Sequence, residues 1–202
     1  MAPPPNAVAR MLGLLGDEWT LLIVQQALLG ARRYSDFAVA LPISNTVLTG
    51  RLQSLAADEL LNRRQYQSNP PRSEYLVTAK SRSLWPMLTS IWEWERRWVP
   101  DHSQELPGMR HQVCGANFAP QVTCTGCSAV ASEKDVVAQW GPSGSWVRSI
   151  PSTTNRRRSG DRRRGAGLLF PQTMSVIGDR WAFALLVAAF VGVARFTDFQ
   201  SQ

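Results

Sequence analysis

Residues 1–100 predict a mainly α-helical domain carrying one small β-hairpin, on three observations. Apolar residues recur at helical spacing in separate stretches bounded by cap and breaker residues; two segments rich in β-formers flank a proline pair; and a closing stretch repeats large apolar residues at spacings of three and four. With 44% hydrophobic and 18% charged residues among 202, the chain has the apolar content for a packed core and belongs to no disordered class.

The elements follow in order. A first helix is expected around Ala7 to Leu15. Gly16-Asp17 opens a second, from Asp17 to Leu29, in which Trp19 and the aliphatics fill the buried faces and Gly30 ends it. A short helix opens near Ser35, before Pro42 breaks the chain. Ser44 is a natural N-cap for the next helix, where Leu48, Leu52 and Leu55 fall at i, i+4 and i+7 and form one inward stripe. Asn45, Thr46, Thr49 and Gln53 then project from the opposite face. Short hydrogen-bonding side chains of this kind approach base edges and phosphates when a helix N-terminus enters a major groove.

Leu60 to Gln67 and Glu74 to Val77 read as strands around Ser68-Asn69-Pro70-Pro71-Arg72-Ser73, whose prolines cannot continue a ladder. A hairpin tipped by Arg72, with Arg63 and Arg64 on its incoming strand, would set cations beside the polar helix. Thr78 can cap a last helix, kinked near Pro86, in which Leu84, Met87, Ile91, Trp94 and Trp98 make the seam of two packed helices. A domain of this size buries Trp85, Trp92, Trp94 and Trp98 with difficulty, so self-association into a homodimer is expected.

The formal charge of +7 rests on 22 basic residues against 15 acidic ones, and 20 of the basic residues are arginine, the cation suited to bidentate phosphate contact. A polyanion is the implied partner, and beside a helix suited to a major groove that polyanion is expected to be double-stranded DNA. Residues 148–167 hold Arg148, Arg156, Arg157, Arg158, Arg162, Arg163 and Arg164 among Ser, Thr, Pro and Gly, which reads as a solvated flexible linker. Between domain and linker, in residues 101–147, His111 and Cys114 form an H-x2-C pair and Cys124 and Cys127 a C-x2-C pair. Four such ligands suit a tetrahedral structural zinc of the knuckle kind. A redox C-x-x-C is the weaker reading, since Cys114 lies outside it. Residues 168–202 repeat the opening of the domain at an offset of 162 positions: Gly16-Asp17 with Trp19 recurs as Gly178-Asp179 with Trp181, and Arg33, Asp36 and Phe37 recur as Arg195, Asp198 and Phe199.

Gly16-Asp17-Glu18-Trp19-Thr20-Leu21-Leu22-Ile23, then Gly30-Ala31-Arg32-Arg33-Tyr34-Ser35-Asp36-Phe37, Leu48-Thr49-Gly50-Arg51-Leu52 and Pro70-Pro71-Arg72-Ser73-Glu74-Tyr75 closely resemble the HxlR-type winged helix-turn-helix transcriptional regulators. The resemblance covers residues 7–98. It implies a homodimeric bacterial DNA-binding regulator, expected to be a repressor on a palindromic operator, with the helix from Ser44 reading the major groove and the loop around Arg72 as wing. The DNA-contacting set it implies is Ser44, Asn45, Thr46, Thr49, Arg51, Gln53 and Arg72. Members that sense oxidants carry a cysteine before the first helix, where this chain has Pro5-Asn6-Ala7; Gly50 stands where the family prefers a better helix former. The chain is then a winged helix-turn-helix followed by a small zinc-knuckle-like segment and a partial second winged-helix N-terminus, as in tandem members.

Enzyme motifs are missing: there is no H-E-x-x-H, Walker loop or G-x-S-x-G. Residues 181–194 are the longest uncharged apolar run, short of the ~20 residues a bilayer requires, so a cytoplasmic protein without membrane insertion is expected. The alternative function is a protein-interaction module that uses the same fold and the exposed half-domain without specific DNA binding.

Overall fold

The computed structural model describes residues 15, 17–99 and 108–137, together with residues 182, 185, 186, 189, 190 and 197. The helix expected around Ala7 to Leu15 lies outside the described residues except for Leu15, which is buried. The arginine-rich linker lies outside them entirely, and the second copy does so apart from those six positions.

The described fold runs α1 (Glu18–Leu28), α2 (Tyr34–Ala40), α3 (Asn45–Ala57), β1 (Leu61–Gln67), β2 (Arg72–Val77), α4 (Ala79–Arg82) and α5 (Trp85–Trp98). Asp17 caps α1 by accepting the Thr20 backbone N–H at 3.2 Å. Five consecutive residues of α1, Thr20 to Val24, are buried, because α2, α3, α4 and β2 all pack around it. The helix ends as expected at Gly30, which has φ +111°, while the Ala31 N–H bonds back to the Gln26 carbonyl at 3.0 Å. That φ is left-handed territory where a side chain is strained, so glycine serves as the stop.

At the start of α2 the Asp36 carboxylate accepts the backbone N–H groups of Arg33 and Arg32, at 2.8 and 3.0 Å. These two bonds hold the Asp36 carboxyl below the ordinary carboxylate range. The chain leaves α3 through Glu59 at φ 59°, with the Leu60 N–H bonded to the Leu55 carbonyl at 2.9 Å; this turn delivers Leu60 and Leu61 into the core.

β1 and β2 form an antiparallel hairpin running from Leu61 opposite Val77 to Gln67 opposite Arg72, with an irregularity at Tyr66. The outgoing strand is longer than expected: Arg72 and Ser73 belong to β2, so the loop is reduced to Ser68-Asn69-Pro70-Pro71, with the Asn69–Pro70 peptide cis. The Tyr75 N–H donates to the Arg32 carbonyl at 2.7 Å and Arg33 bridges Glu74, so the link between α1 and α2 forms a third, very short edge that ties the hairpin to the helices.

The last helix differs most from expectation. Thr78 is a cap, its hydroxyl accepting the Ser81 N–H at 3.2 Å, but the four residues of α4 end at Arg82 and a separate α5 begins at Trp85. Pro86 therefore breaks the helix where a kink was expected. Lacking an N–H, it fits the first turn of a new helix and not the interior of a continuous one. Trp92 is buried, against expectation. Ile91 is buried too, and Leu84 and Met87 pack partly against the same core, so three of the five seam residues already serve this chain's own interior. Trp94 and Trp98 remain exposed, at 49% and 63%.

Candidate nucleic-acid interface

α2 and α3 are joined by Leu41-Pro42-Ile43-Ser44. Ser44 begins α3 as expected, its hydroxyl accepting the Val47 N–H at 3.4 Å. On α3 the two faces are sharply distinct. Leu48 and Leu52 are 0% exposed and Leu55 is 2% exposed, whereas Asn45, Thr46, Thr49 and Gln53 are all exposed and Ser44 is exposed beside them. The Tyr34 hydroxyl donates to the Asn45 carbonyl at 3.2 Å, which links the first turn of α3 to α2 and leaves the Asn45 side chain outward.

Arg51 is placed differently from its neighbours. Its guanidinium donates to Asp17 Oδ2 at 2.9 Å, the carboxylate that also caps α1, and its side chain is only 28% exposed. On α3 it lies toward the leucine side of the helix, and its partner is carboxylate. Its function here is to clamp α3 against the start of α1, a role that spacing alone does not reveal because Asp17 is 34 residues away. Such a partly exposed pair is worth at most ~1 kcal/mol.

Arg72 is exposed at the first position of β2, as expected for the tip. Arg63 is exposed as well. Arg64 is held by Glu74, with its Nε and Nη2 donating to Oε1 at 2.9 and 2.6 Å, so its charge is matched within the hairpin. Sequence reasoning missed Arg33, whose guanidinium stands 5.1 Å from the ring centroid of Tyr66 at the strand irregularity. The lone aromatic on the outer side of a strand was the signal that could have found it.

Gly50 is exposed in mid-α3, and a Cβ there would meet nothing within 4 Å. Gly50→Ala should therefore raise the unfolding free energy by ~1 kcal/mol, read as a higher urea midpoint at unchanged slope.

The cysteine-bearing segment is built as two turns. In the first, His111 Nδ1 lies 3.3 Å from Cys114 Sγ; in the second, Cys124 Sγ receives the backbone N–H groups of Cys127 and Gly126 and interacts with the Cys127 side chain, which together hold its thiol below the ordinary range. All four side chains are exposed. The structure thus brings them together as two pairs. Among the described residues no three His, Cys, Asp or Glu side chains gather at one point, so the single four-donor cluster expected from the spacing is not assembled.

A helix pair whose second member presents a polar face and begins on a serine cap, backed by a two-stranded wing, is a winged helix-turn-helix. The family model for the HxlR-like helix-turn-helix matches residues 14–103. An uncharacterized HTH-type transcriptional regulator of Mycobacterium bovis is 33% identical over 137 residues, covering 68% of this chain and 87% of that one. One from Bacillus subtilis is 35% identical over 91 residues, 45% of this chain and 84% of that one. Among solved structures, a proposed transcription factor from Pseudomonas aeruginosa is 27% identical with a TM-score of 0.50, covering 72% of this chain and 96% of its own. Another proposed transcription factor reaches a TM-score of 0.59 at 25% identity, covering 66% and 93%. The chain belongs to the HxlR-like helix-turn-helix family, a family of DNA-binding transcription regulators.

Proposed function

We propose that the protein represses transcription as a homodimer on a palindromic operator, with α3 of each protomer in a major groove and Arg72 of each wing on the adjacent backbone. The observation that carries this reading is the division of α3: Leu48 and Leu52 fully buried, and Asn45, Thr46, Thr49 and Gln53 exposed on the other side. Buried leucines fix the helix rigidly to the domain, so the exposed polar groups form a preset surface rather than a mobile one. Ser44 both caps α3 and stands at its positive end, where a phosphate is favoured. Arg51 supports this surface from behind through Asp17 rather than touching DNA.

Trp94 and Trp98, exposed on α5, supply the contact between protomers, together with the outward edges of Leu84 and Met87. Two-fold symmetry of the dimer then demands two half-sites about one helical turn apart. Occupancy of such a site excludes polymerase from an overlapping promoter, which makes repression the outcome.

A footprint on the DNA upstream of the protein's own reading frame, at two salt concentrations, tests the reading. Two protected half-sites on one face of the duplex are expected. With about four phosphate contacts per dimer, affinity should fall on the order of a hundredfold between roughly 50 and 200 mM salt. Uniform weak protection, or affinity indifferent to salt, would refute it.

A further inference from the structure

Residues 109–118 and 122–131 repeat one another at a separation of thirteen, in backbone as well as in ligand position. The antiparallel bridge of Arg110 with Asn117 recurs as Thr123 with Val130. The His111 N–H bond to the Ala116 carbonyl, 2.9 Å, recurs as Cys124 N–H to Ala129, 2.9 Å; the Gly115 N–H bond to His111, 2.8 Å, recurs as Ser128 N–H to Cys124, 2.8 Å. The Phe118 N–H bond to Met109 recurs as Ala131 N–H to Val122, both 2.9 Å. The left-handed residue falls at the same place in each, Gly115 at φ 71° and Ser128 at φ 60°. His111 and Cys124 occupy one matching position, and Cys114 and Cys127 the other.

A tight turn that closes with a left-handed residue brings the side chains at its first and fourth positions near one another, as His111 and Cys114 show. The 3.3 Å from His111 Nδ1 to Cys114 Sγ is close to the ~3.6 Å edge that a tetrahedron with Zn–N and Zn–S bonds of ordinary length requires. The same segment has almost no interior. Of residues 108–137 only Met109, Phe118, Pro120 and Ala131 are other than fully exposed, and Met109 alone reaches the domain core. Local hydrogen bonds do not by themselves hold two such turns, nor a serine at positive φ, in a segment without a core.

We propose that the two turns are the halves of one zinc centre, with His111 and Cys114 from the first and Cys124 and Cys127 from the second. The pairs stand apart among the described residues, and the ion is the cross-link that joins them; only Ala119-Pro120-Gln121 separates one turn from the other. Zinc has the donor set for this: three thiolates and an imidazole, all soft or borderline, with no carboxylate among them. Its role is structural, replacing the missing core, since four protein donors leave no open coordination position for chemistry.

Metal content of the purified full chain tests this. About one zinc per chain is expected, resistant to brief dialysis and released when the thiols are modified. Cys114→Ser and Cys124→Ser should each lose it, and His111→Cys should keep it. Because a serine variant could lose zinc through misfolding, the native chain stripped of metal and titrated with Co²⁺ gives a second reading: intense thiolate charge-transfer absorption with the d–d bands of a tetrahedral ion, saturating at one equivalent. A native chain that holds no zinc and takes up no cobalt overturns the proposal. So does zinc retained in Cys114→Ser/Cys124→Ser, or a Cys124–Cys127 disulfide in chain purified under reducing conditions.

Discussion

Thr49→Glu eliminates specific operator binding while leaving the domain folded. Thr49 is exposed on the polar face of α3, one turn from Asn45 and Thr46, so the substitution puts a carboxylate where the proposed duplex lies. Losing a base-edge or phosphate contact costs about 1–3 kcal/mol, and a carboxylate near a phosphate adds roughly 1 kcal/mol or more of repulsion. The expected result in a gel-shift titration is a loss of affinity of roughly 30- to 1000-fold. Thermal stability should stay within ~0.5 kcal/mol, because the side chain is exposed. Arg72→Ala is the informative comparison: a smaller loss, similar on all sequences, with the salt slope reduced by about one per protomer. If Thr49→Glu binds the operator within threefold of the native chain, α3 is not the reading element.

The second large effect is on stability. Leu52 is fully buried, between Leu48 and Leu55 on the inner stripe of α3, and truncating it to alanine should cost about 2–5 kcal/mol. Domains of this size have only ~5–15 kcal/mol in total, so Leu52→Ala should lower the urea midpoint severely and weaken DNA binding only as far as the folded fraction falls. Gln53→Ala, one residue on and exposed, should leave the midpoint within the error of measurement. A cost below ~1 kcal/mol for Leu52→Ala would mean that α3 is not anchored as its burial indicates.

These two positions also show what could be read from the chain in advance. The alternation of leucine and polar residues on α3 is a local pattern with helical period, and a period of 3.6 assigns faces without knowledge of the partner elements. The caps were legible for the same reason. Asp17, Ser44 and Thr78 each satisfy the N–H three residues on, and Gly30 supplies a backbone conformation the helix end needs. The H-x2-C and C-x2-C spacings identified the pairs but not the matching turns that hold them, since those depend on backbone bonds four, five and nine residues apart.

What the chain alone determined, then, is α1 to α3 and the hairpin, the caps at Asp17, Ser44 and Thr78, and the inward and outward faces of α3, because each follows from interactions within a few residues; the division of the closing helix into α4 and α5 did not. Only the tertiary structure decided that Arg51 pairs with Asp17, that Trp92 and Ile91 belong to the core while Trp94 and Trp98 do not, and that Arg64 is matched by Glu74. Those outcomes depend on which distant side chain arrives within reach once α1, α3, the hairpin and α5 have packed. A charge or an aromatic ring has no preferred face until that neighbour is in place.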